Sequence, residues 1–321
     1  MQISTIYGPI QEEMVSVEQR LLSLRQDAPE QMSEFLVYAL KDPGKLLRPA
    51  LTLLSGKSFS YNKDLMVTMA AAVELLHTAT LIHDDTVDHA QVRRGRPTIS
   101  SMLGQGTAVL VGDYLFAASA EMAASTDDTK ISRLFAQTVM AVSAAELEAS
   151  YSTFDSTQTR ERYYKRISFK TASLFVLATS SGAVLARAPK TAADGLKDYG
   201  QNLGLAFQII DDVLDFVGEA ETMGKPVGHD LLQGTLTLPA ILSLERHPQD
   251  NPIQRLFAKQ GNPDDLRLAL DMIVNSNVIG ECYDIARDFC SKATQSLKDV
   301  PQGPCRQALE ELTEYVVQRK K

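Results

Sequence analysis

Apolar residues recur at intervals of three and four along almost the whole chain, which is the period of helices with a buried face. Runs in which Val and Ile alternate with polar residues, as in strands, are missing. The pattern predicts helices at about residues 9–26, 30–41, 46–57, 63–89, 105–124, 128–151, 158–167, 170–187, 193–218, 229–246, 252–258, 263–273, 277–298 and 303–319. Breaks fall at Gly and Pro clusters, and no Ser/Gly-rich linker divides the chain. The sequence therefore predicts an all-α protein with a single domain over residues 1–321.

Two acidic clusters of one pattern stand on long apolar helices of this prediction. They are Asp84-Asp85-Thr86-Val87-Asp88 and Asp211-Asp212-Val213-Leu214-Asp215. Carboxylates four residues apart share a helix face and repel each other, and apolar surroundings raise their cost unless cations neutralise them. A solvated acidic face is the alternative, and the apolar flanks of both clusters disfavour it. Because carboxylates favour Mg²⁺, Mn²⁺ or Ca²⁺ over zinc, the sequence predicts hard metal ions held between two helices.

Basic residues stand where they could hold the phosphate groups that usually complete a magnesium shell. They are Lys45 and Arg48 at one predicted helix start, Arg93, Arg94 and Arg96 after the first acidic cluster, Lys170 with Thr171 at the opening of another helix, and Lys225 in a Gly-rich loop. Each alone would be an ordinary surface charge. Together, near helix starts that favour anions, they predict a site for a phosphorylated substrate.

Composition narrows the choice of partners and compartment. The chain carries 32 Lys and Arg against 40 Asp and Glu, a net charge of −8 that argues against nucleic acid. The basic run Arg319-Lys320-Lys321 is expected to be a solvated tail. The Cys residues, 3 in all, are uneven in spacing and are expected to be reduced, as in the cytoplasm. The sequence predicts neither a signal peptide nor a transmembrane segment.

The motifs in this order resemble those of the trans-isoprenyl diphosphate synthases, most closely the long-chain polyprenyl members. The matching segments are residues 43–49, 84–88, 93–98, 170–171, 207–215 and 224–239. The resemblance implies the isoprenoid synthase fold, with helices around a deep central cavity. It also implies a homodimer, and three Mg²⁺ ions for which Mn²⁺ can substitute. The implied reaction condenses isopentenyl diphosphate with an allylic diphosphate.

Roles carry over from the family residue by residue. Catalysis is assigned to Asp84, Asp85, Asp88, Lys170, Asp211 and Asp212. Metal ions are assigned to Asp84, Asp88 and Asp211 directly and to Asp85, Asp212 and Asp215 in support. The allylic diphosphate is assigned to Arg93, Lys170, Thr171, Gln208 and Lys225, and the isopentenyl diphosphate to Lys45, Arg48, His77, Arg94 and Phe207. His77 has a second interpretation as an ordinary core histidine, which its place on the Asp84 face disfavours.

Product length is expected to depend on the residues just before the first acidic cluster. Thr80 lies one turn before Asp84 on the same helix face, and Ala79 is beside it. Short-chain members often carry bulky aromatic residues there, so these small residues favour a long-chain, all-trans product. The alternatives are a short-chain synthase making farnesyl or geranylgeranyl diphosphate, a non-catalytic partner subunit, and a class I terpene cyclase.

Overall fold

The computed structural model describes residues 2–41, 44–218, 227–259 and 262–319, and within them the protein is almost entirely helical. The helices are α1 (Ile3–Ile6), α2 (Gln11–Asp27), α3 (Glu30–Leu40), α4 (Leu47–Lys57), α5 (Lys63–Val87), α6 (Ile99–Leu103), α7 (Gln105–Ala124), α8 (Thr129–Tyr151), α9 (Arg160–Ile167), α10 (Ser173–Leu185), α11 (Lys190–Val217), α12 (His229–Leu232), α13 (Leu238–Arg246), α14 (Pro252–Ala258), α15 (Pro263–Val274), α16 (Val278–Ser296) and α17 (Pro304–Gln318). The prediction of an all-α protein is confirmed, and most predicted helices agree with these within a few residues.

Two local features differ from the predicted pattern. The segment predicted as one helix over 229–246 is two helices, because Gly234 takes a positive φ of 77° and the second helix begins at Leu238-Pro239. A small antiparallel hairpin pairs Val92–Arg93 with Arg96–Pro97. Its turn residues, Arg94 and Gly95, both have positive φ, of 51° and 74°, as a type I′ turn requires.

The sequence predicted that Lys170 and Thr171 open a helix, and this prediction is wrong. They lie in a π-helical turn, Ser168–Ala172, between α9 and α10. The three pieces run together as one long helix, Arg160–Leu185. Single π turns inside α-helices widen the helix locally and are common at functional sites. The Lys170 and Thr171 side chains therefore project from the middle of a continuous helix.

The described chain forms two compact units. Unit 1 comprises Met1–Gln137, Leu174–Gly200 and Ser296–Leu312, and unit 2 comprises Thr138–Ser173, Gln201–Gln295 and Thr313–Lys321. The first acidic cluster belongs to unit 1 and the second to unit 2. The single domain over 1–321 stays a prediction.

Helix α5 forms the centre of unit 1. Asn62 begins it by accepting hydrogen bonds from the backbone N–H groups of Asp64 and Leu65. Its residues from Met66 to Leu76 are buried, and it packs against α2, α4 and α7. Close approach of α7 depends on Gly112, where a Cβ would lie 2.2 Å from the His83 ring. The first acidic cluster is thus placed at the end of a helix whose middle is fully buried.

Within the described part of the chain, two helices have the length and composition of a membrane span. These are Lys63–Val87 and Arg160–Leu185, and 72% and 61% of their most apolar windows are buried inside the protein. Burial in the core accounts for their apolar composition. All three cysteines, Cys282, Cys290 and Cys305, are buried and unbridged, as expected for reduced thiols.

Unit 2 is built on aromatic packing around α9. Tyr163 is fully buried and makes an edge contact with Tyr164, whose ring contacts Phe289 in the same way. Phe154 donates its backbone N–H to the Gly234 carbonyl, which fixes the break between α12 and α13. This packing holds α9 and its π turn in place.

Candidate functional site

The first acidic cluster lies at the carboxyl end of α5. Asp84 is half-buried, Asp85 is buried and Asp88, which ends the helix, is exposed. The hairpin after the helix turns Arg93 back, so that its Nε donates to Asp85 Oδ1 at 2.7 Å. Burial raises the pKa of Asp85, and the Arg93 charge opposes that rise. Asp85 is therefore held by the protein, while Asp84 and Asp88 lie nearer to solvent.

Unit 1 also brings together three of the residues predicted for isopentenyl diphosphate, Arg48, His77 and Arg94. The Arg94 guanidinium packs against Gly44, where a Cβ would lie 2.7 Å from its Nη1. Arg48 stacks over the Phe175 ring, with Cζ 5.1 Å from the ring centroid. Burial, followed by the charges of Arg48 and Arg94, holds the pKa of His77 well below its usual range. The two arginines and the histidine thus form one positive group beside α5.

His77 is neutral in this setting. Its Nδ1 is buried and has no hydrogen-bond partner among the described residues. A neutral imidazole offers one N–H donor without adding charge. The ring is half-buried at the same positive group, so it is placed to donate a hydrogen bond to an anion held by the arginines.

Sequence reasoning missed Glu74, the acidic member of this group. Glu74 is 4% exposed and lies one turn before His77 on the same face of α5. Burial raises its pKa to about 7, although the Arg48 and Arg94 charges act in the opposite direction. The signal was available, because a lone acidic residue inside the apolar segment 65–76 must be buried.

The second acidic cluster lies on α11 in unit 2, and its centre is a chain of hydrogen bonds. Thr171 Oγ1 donates to Gln208 Oε1 at 2.6 Å, and Gln208 Nε2 donates to Asp212 Oδ1 at 2.7 Å. Tyr163 donates its hydroxyl to Asp212 Oδ2 at 2.6 Å. Burial, with repulsion from Asp230, raises the pKa of Asp212 to about 7. Both oxygens of Asp212 are thus fixed by neutral donors.

The other members of this cluster are also held by named partners. Asp215 is buried and its Oδ2 accepts the backbone N–H of Asp230 at 3.1 Å. Lys170 Nζ lies 2.6 Å from Glu146 Oε1, a carboxylate that the sequence analysis did not single out. Unit 2 therefore gathers the predicted allylic residues Lys170, Thr171 and Gln208 with the second acidic cluster. Lys225 lies outside the described residues.

The expectation of a solvated tail at Arg319 is wrong. The Arg319 side chain is 4% exposed, and Nη2 lies 2.7 Å from Asp211 Oδ1. Its guanidinium also covers the Phe207 ring, with Cζ 3.8 Å from the centroid. A short basic run carries no sequence signal for such a contact, because the partners are more than a hundred positions away.

The match to a known family covers most of the chain. The family model described as polyprenyl synthetase matches residues 29–273.

This chain belongs to the polyprenyl synthetase family.

The chain is similar along nearly its whole length to proteins of this family. It is 37% identical to a prenyl transferase of Synechocystis over 280 residues, 86% of either chain. It is 32% identical to heptaprenyl diphosphate synthase component 2 of Bacillus subtilis, covering 100% of this chain and 92% of that one. A polyprenyl synthase of Caulobacter crescentus, solved with calcium and isoprenyl diphosphate, is 34% identical, with a TM-score of 0.91 over 100% of this chain and 98% of that one. Solved geranylgeranyl pyrophosphate synthases share the fold, at 29% identity or less.

The aspartates of this polyprenyl synthetase have the donor chemistry of a magnesium site. Among the residues described, no three His, Cys, Asp or Glu side chains converge on one point. Magnesium commonly takes only one or two carboxylates and completes its shell with water and phosphate oxygens, so such a closed cluster is not required. The oxygen donors fit a hard divalent cation. The less buried Asp84, Asp88 and Asp211 are suited to direct contact, and the six individual metal assignments stay predictions.

The residues predicted to limit product length lie on the same helix as the first acidic cluster. Ala79 is buried and Thr80 is half-buried. The Thr80 hydroxyl donates to the His77 carbonyl at 2.8 Å, so its methyl group is the part left to contact other atoms. Leu76 and Val73, in the preceding turns, are buried. The role of these residues in chain length stays a prediction.

Proposed function

We propose that this synthase condenses isopentenyl diphosphate with an allylic diphosphate in a Mg²⁺-dependent reaction that gives a long-chain, all-trans polyprenyl diphosphate. One observation supports the proposal: three residues expected for isopentenyl diphosphate come together in unit 1, and three expected for the allylic diphosphate, Lys170, Thr171 and Gln208, lie in unit 2. Two predicted residues lie in the other unit, since Arg93 of the allylic set is in unit 1 and Phe207 of the isopentenyl set is in unit 2. Arg48, His77 and Arg94 form a positive group without a metal-type carboxylate pair, whereas Thr171 and Gln208 are hydrogen-bonded into an aspartate cluster. Two chemically different anion sites are what a two-substrate condensation requires.

The reaction begins when the allylic carbon–oxygen bond breaks and its diphosphate gathers negative charge. Bound Mg²⁺ would stabilise that leaving diphosphate as a Lewis acid. Lys170 adds a point charge from the π turn, and Thr171 orients Gln208 through a hydrogen bond of 2.6 Å. Because these groups are held before the reaction, they cost little reorganisation as the charge develops.

The second diphosphate is held without metal in this proposal. Arg48 and Arg94 supply two planar cations that suit phosphate oxygens, and His77 supplies one neutral N–H donor. Fixing isopentenyl diphosphate in this way would restrict the orientation of its double bond, which must attack the allylic cation in the condensation. The proton lost after carbon–carbon bond formation then passes to the departed diphosphate.

The long-chain product is supported by the small residues before the first acidic cluster. Ala79 and Thr80 leave room where a large side chain would stop a growing hydrocarbon. The relative in Bacillus subtilis named for a heptaprenyl product supports the same choice. A short-chain product is the alternative, and mass spectrometry of the product formed from isopentenyl diphosphate and a farnesyl primer distinguishes the two.

We further propose that the synthase acts as a homodimer. Helix α8 carries a stripe of exposed apolar residues on one face, with Met140, Leu147 and Tyr151 exposed by 71%, 59% and 85%. A different partner subunit is the alternative, since the Bacillus subtilis relative is named as a component. Light scattering of the purified chain, with its activity measured alone, decides between them.

The metal role is tested with Asp84→Ala. We expect turnover to fall by at least about 1,000-fold, because a direct ligand contributes to charge stabilisation in the transition state. Asp64→Ala is the matched control, since Asp64 stands in the first turn of the same helix and forms an exposed pair with Arg20. Near-normal turnover in a folded Asp84→Ala protein would refute the proposal.

A further inference from the structure

Arg319 lies on the second acidic cluster although it follows α17, the last of the described helices. We propose that Arg319 is a built-in counter-ion that competes with the divalent cation for Asp211, and so sets the metal concentration at which the second cluster fills. The inference rests on the proposed function, because it requires Asp211 to be a metal ligand. It adds a residue that tunes metal binding without touching the reacting atoms.

The guanidinium is anchored independently of Asp211. It lies over the Phe207 ring with Cζ 3.8 Å from the centroid, and Nη2 also donates to the Phe207 carbonyl oxygen. Phe207 and Asp211 are four residues apart on α11 and therefore share a face. Two contacts besides the ion pair therefore hold Arg319 beside the Asp211 carboxylate in the metal-free protein.

The Arg319 guanidinium and a divalent metal ion repel each other, so they compete for the Asp211 carboxylate. Nη2 lies 2.7 Å from Asp211 Oδ1, so a metal on the same carboxylate would stand within a few ångströms of a like charge. Such charges repel strongly where water is partly excluded, and the Arg319 side chain is only 4% exposed. Metal binding must therefore either displace the guanidinium or proceed against its repulsion.

One hydrogen-bond donor of Arg319 is unsatisfied, which favours replacement of the guanidinium by a metal ion at Asp211. Its Nε is buried and has no hydrogen-bond partner among the described residues. A buried donor without an acceptor opposes burial of the group that carries it. Asp211 is 42% exposed, so water and a hydrated ion can reach its carboxylate from the open side.

The test measures metal binding directly, with Mn²⁺ as the probe and the electron paramagnetic resonance signal of free Mn²⁺ as the readout. Arg319→Gln should bind Mn²⁺ about ten-fold more tightly than the wild type, a change of about 1.4 kcal/mol. The half-saturating Mg²⁺ concentration for condensation should fall with it. Arg319→Met, which keeps an apolar stem on Phe207, should give the same gain if Arg319→Gln folds poorly.

A double-mutant cycle separates the specific pair from general charge effects. Asp211→Asn should weaken Mn²⁺ binding, and Arg319→Gln should add nothing in that background. Arg287→Gln, at an exposed arginine of the same unit, removes an equal charge elsewhere and should leave binding within two-fold. An Arg319→Gln protein with unchanged or weaker binding overturns the inference, as does a gain that persists without Asp211. If Asp211→Asn itself changes nothing, the proposed metal role fails as well.

Discussion

Glu74 should make the metal-free protein less stable as the pH rises through neutrality. The residue is 4% exposed within α5, and burial raises its pKa from 4.5 to about 7. The unfolded chain loses this proton near its ordinary pKa, whereas the folded protein keeps it until about pH 7. A carboxyl whose pKa is higher in the folded than in the unfolded protein contributes its full stability below the unfolded pKa. That contribution to the free energy of unfolding is lost as the pH rises through the folded pKa. Glu74→Gln, which is neutral at every pH, should abolish this loss.

The magnitude follows from the two pKa values. A difference of one pH unit between the folded and unfolded pKa changes the free energy of unfolding by about 1.4 kcal/mol. Integrating between pH 5 and pH 8 gives about 2.5 kcal/mol, by which Glu74→Gln should gain stability relative to the wild type over that interval. Comparing two pH values cancels any constant effect of the amide on packing.

The assay is urea unfolding with EDTA present, followed by far-UV circular dichroism at pH 5 and pH 8. Glu13→Gln is the matched control, because Glu13 is also a buried glutamate of unit 1 but has the opposite behaviour. Burial raises its pKa, and hydrogen bonds from Lys57 and Tyr61 outweigh that effect, so the net pKa is lowered. Glu13→Gln should lose stability at both pH values and gain none between them. A Glu74→Gln difference that is equal at pH 5 and pH 8 would refute the reasoning.

Three further changes follow from particular contacts. Thr80→Phe should shorten the product, because the ring adds bulk one turn before the first acidic cluster, and a product ladder on thin-layer chromatography shows whether it does. Tyr163→Phe removes a donor 2.6 Å from the buried Asp212 carboxyl and should cost about 1.5–3 kcal/mol in urea unfolding. Gly182→Ala places a Cβ 2.4 Å from a backbone carbonyl and should cost about 1–3 kcal/mol, whereas Gly106→Ala meets nothing within 4 Å and should be neutral or stabilising.

Helix positions could be predicted because the helical period is strong and several helices have a clear signal at their N-terminal end. Asn62 and Asn262 are side-chain caps before their helices, and Pro252, Pro263 and Pro304 stand at helix starts. The helix predicted over 229–246 was wrong at one point. Its apolar period continues through Gly234, and only the positive φ there, with the contact to Phe154, ends the helix.

The sequence predicted which residues belong to the candidate site, but it did not predict which residues they contact. The types and order of Asp84, Lys170 and Gln208 match motifs of the family to which the chain belongs, and this match carried the prediction. The sequence does not say that Glu146 holds Lys170 or that Tyr163 holds Asp212. Such pairs join residues from distant segments, and a lone Glu or Tyr on a helix has no spacing that marks it.

The partners show how highly charged clusters are compatible with a stable fold. Asp85 pairs with Arg93 in unit 1, and Asp211 with Arg319 and Lys170 with Glu146 in unit 2, so the predicted site residues of each unit are neutralised at hydrogen-bond distance. A buried charge without such a partner would cost several kcal/mol. Each pair also competes with the ion or diphosphate expected at the same atoms, so stability and ligand affinity oppose each other there. Removing one partner should therefore weaken the metal-free protein and strengthen its binding of the ligand that the remaining charge attracts.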